Sequence, residues 1–365
     1  MPSYSCYPRD DPTANWAYCP YFGAAITFSC LFGLVSIAHI VQAIRHKKPF
    51  SWVLIMGSVW ECCGYSFRTL SVTAQKETSW ATTQSLFILL APLWINAFVY
   101  MVLGRMVQFF LDDRRVYGVK AKHFTWIFVS LDILSFLVQA TGGVMASGQN
   151  APQSILNGLH IYMGGLGLQE FIILVFASMA FTFQKKLALQ QQGNLEAGEG
   201  VAMTGFRSPY DARKLLWIVY IVLGLITFRI IFRLIEFSQG INSYIPTHEW
   251  FPYVFDAVPM LAALIIVNVV HPGSILQGPN SDFTEERGAD KQKKKEKKEA
   301  KKMEQTTRKA GKKETKEMEK MEKENKKAAK KGVAVTVQGY AYSDVCFREP
   351  AFLDDISEVD YGLWS

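Results

Sequence analysis

The stretch Leu215–Phe237, LLWIVYIVLGLITFRIIFRLIEF, sets the architecture. Its first fourteen residues carry no charge, and the whole segment is long enough to cross the ~30 Å hydrocarbon core of a bilayer as a helix. A soluble helix of this length would confine its apolar residues to a stripe, whereas here they occupy every face. The exceptions are Arg229, Arg233 and Glu236, spaced by four and three, which form one charged line along the cylinder. Ionisable groups in such a setting normally face a bundle interior or a wet cavity, not lipid.

Six further apolar runs of similar length occur at Tyr21–Ile44, Phe50–Ala74, Gln84–Leu111, His123–Ala146, Ile155–Phe183 and Phe251–Val270. The sequence therefore predicts an all-α polytopic membrane protein, a seven-transmembrane-helix bundle spanning residues 21–273. The third and fifth runs are long enough to tilt or to extend past the bilayer. Residues 1–20 are polar, with Arg9, Asp10 and Asp11 and no cleavable signal pattern, so the first helix is expected to serve as the targeting signal.

Loop charge orients the bundle. Arg45–Pro49, Asp112–Lys122 and Gln184–Lys214 hold three, four and five Lys/Arg, twelve in all. The other face, Met1–Pro20, Gln75–Thr83, Ser147–Ser154 and Ser238–Trp250, holds only Arg9 and Lys76. By the positive-inside rule the N-terminal segment 1–20 is extracytoplasmic and the C-terminus is cytoplasmic. Tryptophans fall near both boundaries, with Trp16, Trp80 and Trp250 outside and Trp52, Trp126 and Trp217 inside.

The basic overall charge misleads. Of 39 Lys/Arg and 32 Asp/Glu, the run Lys291–Lys331 alone holds 19 and 8, which leaves 20 against 24 elsewhere, a balance of −4. Net charge thus gives no ground for nucleic-acid binding. Residues 274–365 form a cytoplasmic tail whose Lys/Glu run has almost no branched or aromatic residues. It cannot bury a core, and is either a lone solvated helix held by Glu–Lys pairs or disordered. Its two readings are attraction to an anionic leaflet and simple solubilisation.

Polar residues inside the apolar runs are numerous. The second run contains Glu61-x-x-Gly64-Tyr65-x-x-Arg68, with Glu61 and Arg68 two turns apart on one face. The fourth carries Asp132 and, seven later, Gln139. The seventh opens with Glu249 and carries Tyr253 and Asp256. Given the orientation above, Arg68, Arg229, Arg233, Glu236, Glu249 and Asp256 converge in the exoplasmic half. A hydrated cavity for a zwitterionic or cationic headgroup is expected there, with salt bridges that fix helix register as the plainer alternative. Pro92 and Pro259 permit kinks, and Gly142-Gly143 with glycines 158, 164, 165 and 167 permit close helix approach.

Other chemistry lacks its residues. There is no Gly-x-x-x-x-Gly-Lys-Ser/Thr loop, and Glu170 occupies the third glycine position after Gly165-x-Gly167. There is no His-Glu-x-x-His, no histidine-rich cluster, no Gly-x-Ser-x-Gly elbow, and no lysine in the last run to hold retinal. The six cysteines match no metal pattern: Cys62-Cys63 read as packing residues, and a Cys6–Cys19 disulfide is left open. No catalytic residue, metal or cofactor is assigned, and His39 and His160 read as hydrogen-bonding groups.

Taken in order, Glu61-x-x-Gly64-Tyr65-x-x-Arg68, Ala91-Pro92 with Tyr100 and Gly104-Arg105, Asp132 with Gln139 and Gly142-Gly143, Gly158, Gly165 and Gln169, Arg229-x-x-x-Arg233-x-x-Glu236 with Gly240, Glu249 with Tyr253, Asp256 and Pro259, and His271-Pro272-Gly273 resemble the fungal lipid-translocating exporter family, also called RTA-like. The likeness covers about Tyr21–Gly273. Asn96 departs from it, standing where a small residue is expected. The last run also lacks the Asn-Pro-x-x-Tyr end of a rhodopsin-like receptor.

The resemblance implies export or flipping of amphiphiles such as sphingoid bases, sterol-like compounds or haem precursors, with resistance to toxic lipids or drugs. Its setting would be the plasma membrane or an internal one. A seven-helix lipid-sensing receptor is the alternative. The candidate substrate-binding or gating residues are Glu61, Tyr65, Arg68, Arg229, Arg233, Glu236 and Asp256, with Asp132 and Gln139 as a deeper relay or register pair.

Overall fold

The computed structural model describes residues 16, 18–46, 48–146, 152–196, 209–238, 240, 243–276 and 284–330. The helices are α1 (Phe22–His46), α2 (Trp52–Thr73), α3 (Thr78–Phe110), α4 (Ala121–Ala146), α5 (Pro152–Glu196) and α6 (Pro209–Ser238). The seventh, α7, opens as an α-helix at Trp250–Pro252, passes through a π turn at Tyr253–Ala257 and resumes as an α-helix over Val258–Val269. The chain divides into two units, Met1–Gly288 and Ala289–Ser365.

Among the described residues six helical runs are long and apolar enough to cross a membrane: α1, α3, α4, the greater part of α5, α6, and the run from Trp250 to Ile275. The protein is thus an all-α polytopic membrane protein. At 22 residues α2 is also long enough, roughly 33 Å, but Glu61, Arg68 and its small and aromatic residues dilute its apolar content. Helix α5 runs 45 residues, well past the expected end at Phe183. The following QKKLALQQ segment is rich in good helix formers, so the helix continues where the apolar run stops.

Consecutive helices pack against each other, α1 also packs on α7, and α3 reaches across to α6. This closes a ring in which α3 is the most enclosed of the six apolar runs, its window 61% buried against 22% for α1 and 28% for α4. The outward faces carry exposed Leu34, Ile37, Ile44, Leu134, Leu137, Phe171 and Leu174, as a lipid-facing surface requires. Trp52, Trp126, Trp217 and Trp250 are exposed too, as interfacial anchors are.

The α4–α5 contact is a small-residue seam. A Cβ on Gly142 would lie 2.3 Å from Tyr162 N, one on Gly158 2.5 Å from Ala146 N, and one on Gly165 2.9 Å from Gln139 N. Gly143, Gly164 and Gly167 meet nothing within 4 Å, so only three of the six glycines expected to serve close approach do so on this surface.

Between α3 and α4 a two-residue-per-strand hairpin pairs Arg115 with Lys120 and Val116 with Val119. Its central residues Tyr117 and Gly118 both have positive φ, the geometry a tight two-residue turn demands. Lys186 of α5 holds the hairpin, donating to Asp113 Oδ2 at 2.6 Å and to Arg115 O at 3.0 Å.

The His271-Pro272-Gly273 motif fastens the end of α7. His271 Nδ1 accepts the Gly273 N–H at 3.0 Å, its Nε2 lies 3.2 Å from Ser51 Oγ, and its ring stacks on His46 at 4.8 Å. Cys19 is disulfide-bonded, whereas Cys30, Cys62 and Cys63 are free thiols. Cys6 lies outside the described residues, and the possible pairing with it.

Helix α8 (Thr284–Lys330) has 47 residues and carries the Lys/Glu run of the second unit, which thus takes the helical form of the two expected. Lys313 and Glu317, and Glu322 and Lys326, pair one turn apart. Gly332–Ser365 lies outside the described residues.

The seam gives a direct test. Gly142→Val or Gly158→Val should force α4 from α5 and cost about 1–3 kcal/mol, the usual overpacking penalty. Gly164→Val should lack this overpacking term. Thermal unfolding of the detergent-purified protein reads the difference, and equal losses at all three positions would refute the seam.

Candidate functional site

Helices α2, α6 and α7 bring the charged residues together. The spacing of four and three on α6 sets Arg229, Arg233 and Glu236 on one line, which turns toward the π turn of α7. There Pro259, lacking an N–H, cannot donate to the carbonyl four residues back, and Val258 N–H instead reaches Tyr253 O across the wider turn. Asp256 sits in this turn and is 2% exposed.

Asp256 binds two arginines. Arg229 Nε donates to its Oδ1 and Arg233 Nη2 to its Oδ2. Arg233 Nη1 donates to Glu236 Oε2 at 3.1 Å, and Arg229 Nη2 to the Ile88 carbonyl at 3.3 Å. Two guanidinium groups and two carboxylates thus neutralise each other, three of them buried and Arg233 part-buried, where an unmatched buried charge would cost several kcal/mol. Glu61, 1% exposed, stands within electrostatic reach of Arg229, Asp256 and Arg233, yet its Oε1 has no hydrogen-bond partner.

Arg68 joins the cluster differently. Its Nε donates to Tyr253 OH at 2.9 Å and its Nη2 to Tyr18 OH at 2.8 Å. Its guanidinium carbon lies 4.8 Å from the ring centres of both Trp16 and Tyr253. Phenol oxygens and π faces, which offer negative potential without a full charge, hold this cation. Trp16, expected near the outer edge, covers Arg68. Tyr65 is buried in an aromatic stack with Phe32 at 5.4 Å, Phe28 at 5.6 Å and Tyr253 at 6.0 Å. At the start of α7, Glu249 Oε2 accepts the Tyr21 N–H at 2.7 Å. Burial pushes its carboxyl above the ordinary range, opposed by that hydrogen bond and by the charge of Arg68.

Asp132 and Gln139 are not paired with each other. Asp132 Oδ2 accepts from Asn96 Nδ2 at 3.1 Å and from Tyr100 OH at 3.0 Å, both on α3. Gln139 Nε2 donates to Gln169 Oε1 on α5 at 3.0 Å. Asn96, met in the sequence as a departure, is therefore a partner of the buried acid. Its spacing of four from Tyr100 was the signal that both reach the same neighbour. The role of Tyr18 carried no comparable signal.

A bundle of long apolar helices with a charge-compensated polar interior defines an integral, multi-pass membrane protein. Comparison with known proteins narrows the class. The family described as RTA1 like protein matches residues 54–279, and the chain belongs to that family. It is 45% identical over 266 residues to the probable lipid transporter atnI of Emericella nidulans, covering 72% of this chain and 68% of that one. It is 28% identical to Protein RTA1 of Saccharomyces cerevisiae, covering 70% and 84%. To the sphingoid long-chain base transporter RSB1 of the same yeast it is 23% identical, covering 71% and 73%. No solved structure matches.

Because Asp256 holds both arginines, Asp256→Ala should destabilise the bundle by roughly 3–5 kcal/mol, the range for breaking a buried pair. Arg229→Met should cost less, since Arg233 remains on the carboxylate. Thermal melts of the purified variants check the order, and Asp256→Ala melting like wild type would refute it.

Proposed function

We propose that this protein translocates or exports a lipid or amphiphile, of the sphingoid-base or sterol-like class, across a fungal membrane. The resulting phenotype is resistance to toxic lipids or drugs. The observation that carries the reading is the buried Arg229–Asp256–Arg233–Glu236 network with the unpartnered Glu61 oxygen beside it. Ion pairs that already compensate each other can exchange partners with an incoming headgroup at far lower cost than desolvating a charge anew. Glu61 suits an ammonium, and Arg229 and Arg233 suit a phosphate or other anionic oxygen. The names of the relatives support the same substrate class.

In this reading α2 is the seventh span, residues 1–20 lie outside the cytoplasm, and residues 274–365 form the cytoplasmic tail. Twelve basic loop residues on one face against two on the other support that orientation. The protein resides in the plasma membrane, with an internal membrane as the other site, and acts without catalysis of its own. Glu61, Tyr65, Arg68, Arg229, Arg233, Glu236 and Asp256 line the headgroup path, and Tyr65 with its aromatic neighbours forms its wall. Asp132 and Gln139 lie off that path as interhelix ties. The lysines of α8 are drawn to the anionic lipid leaflet.

The test is movement of a fluorescent sphingoid base and a fluorescent phospholipid in proteoliposomes of the purified full chain. Wild type should move at least one of them. Glu61→Gln and Arg233→Ala should slow it about tenfold or more, equivalent to ~1.4 kcal/mol at the barrier. Binding without movement by a folded wild-type protein would overturn the reading in favour of a lipid-sensing receptor.

A further inference from the structure

The α3–α4 interface contains a pair of groups that one proton would complete. Asp132 and Asn96 are 1% and 0% exposed. Asn96 Nδ2 and Tyr100 OH both donate to Asp132 Oδ2. The remaining oxygen of each group, Asp132 Oδ1 and Asn96 Oδ1, is buried with no hydrogen-bond partner. An ionised carboxylate and a side-chain amide oxygen are both acceptors, so neither can satisfy the other. A neutral carboxylic acid and a primary amide pair by two antiparallel bonds, amide N–H to acid carbonyl and acid O–H to amide oxygen. The first of those bonds is present. A proton on Asp132 Oδ1 supplies the second and removes both orphans.

The surroundings fit a neutral acid. The elements packed against α4 are α3, α5 and the second hairpin strand. On α3, Tyr100 touches the carboxylate and Arg105 is turned to the Phe50 ring, 4.2 Å away. On α5, Phe176 closes over Tyr100 at 4.5 Å and Phe128 at 5.1 Å. Other titratable groups of α5 are engaged elsewhere: Glu170 with Thr227, Tyr162 against Phe237, Lys185 over Phe181, and Lys186 with Asp113, while His160 is exposed. Lys120 on the strand and Lys122 and His123 at the start of α4 are nine or more residues from Asp132 along the chain. Among the described residues no cation pairs with Asp132. Asp256 is the opposite case, with an arginine on each oxygen.

We propose that Asp132 is a proton-binding site, loaded at Oδ1 against Asn96 Oδ1, and that its loading and release is coupled to lipid movement. Loading adds one proton to the carboxylate and takes its charge from −1 to 0. Release leaves an anion facing an amide oxygen in a dry interface, which drives α3 and α4 apart or draws water between them. Protonation therefore selects between two packings of the bundle. The coupling rests on the translocator reading above, but the proton site does not.

Difference infrared spectroscopy of the full chain in lipid nanodiscs tests the site. Wild type should show a buried carboxylic-acid C=O band, sensitive to D2O, that is lost in Asp132→Asn and shifted in Asn96→Ala. Asp132→Asn keeps the size and neutrality of the protonated acid, so folding should survive. A band unchanged in Asp132→Asn would overturn the site. So would a wild-type carboxylate band whose protein is stabilised by Na⁺ but not by choline, which would assign the pair to a metal cation.

Coupling is read in proteoliposomes with a trimethylated fluorescent sphingoid base, the potential clamped by K⁺ and valinomycin. Wild-type movement should change several-fold with the direction of an imposed pH gradient, and movement by Asp132→Asn should ignore it. Wild-type movement that ignores the gradient would overturn coupling. A band that behaves as expected while no lipid moves would sustain the proton site and overturn the translocator reading.

Discussion

A charge carried into hydrocarbon must be met by an opposite charge or by oriented dipoles, and the arrangement of α2, α6 and α7 follows from that requirement. Asp256 is its hinge. Each carboxylate oxygen faces a different guanidinium of α6, so the azimuth of α6 and the local geometry of α7 are fixed together. The wide turn at Tyr253–Ala257 supplies that geometry, and the proline that follows it removes the competing α-helical bond. Tyr253, three residues before Asp256, carries the constraint on to Arg68 and thereby to α2.

The interior handles polarity in two ways. Around Asp256 full charges cancel, with an arginine on each carboxylate oxygen. Around Asp132 no cation pairs with the acid among the described residues, and an amide and a phenol hold it. Separating the two along different helix pairs keeps the electrostatics of one from dictating the state of the other. Beside the first lies the aromatic stack of Phe28, Phe32, Tyr65 and Tyr253, and beside the second Phe128 and Phe176 close on Tyr100.

Much of the fold was legible because membrane spans announce themselves by unbroken apolar length. The expected Leu215–Phe237 lies inside α6, and the expected Phe251–Val270 differs from α7 by one residue at each end. Composition cannot say where a helix stops once it leaves lipid, which is why α5 overruns Phe183. The charged line on α6 and its nearness to Asp256 followed from spacing and chain direction alone. Partner choice did not. Asp132 and Gln139 share a face seven residues apart, but two turns along α4 the neighbour changes from α3 to α5, so each binds a different helix. Likewise, which of six glycines meet a backbone depends on the rotation of α5, and the aromatic covering of Arg68 depends on where the segment before α1 folds back.

The turn at Tyr253–Ala257 has one more effect. A helix has a single phase: knowing where one side chain points fixes the direction of all the rest. A turn that accommodates an extra residue breaks this dependence, offsetting everything beyond it by about 100°. Helix α7 therefore carries two independent compass bearings, one answering to Asp256 and the other to the His271 contact with Ser51. Sequence change at the charged end thus leaves in place the far end's contacts with His46 of α1 and with Ser51, just before α2.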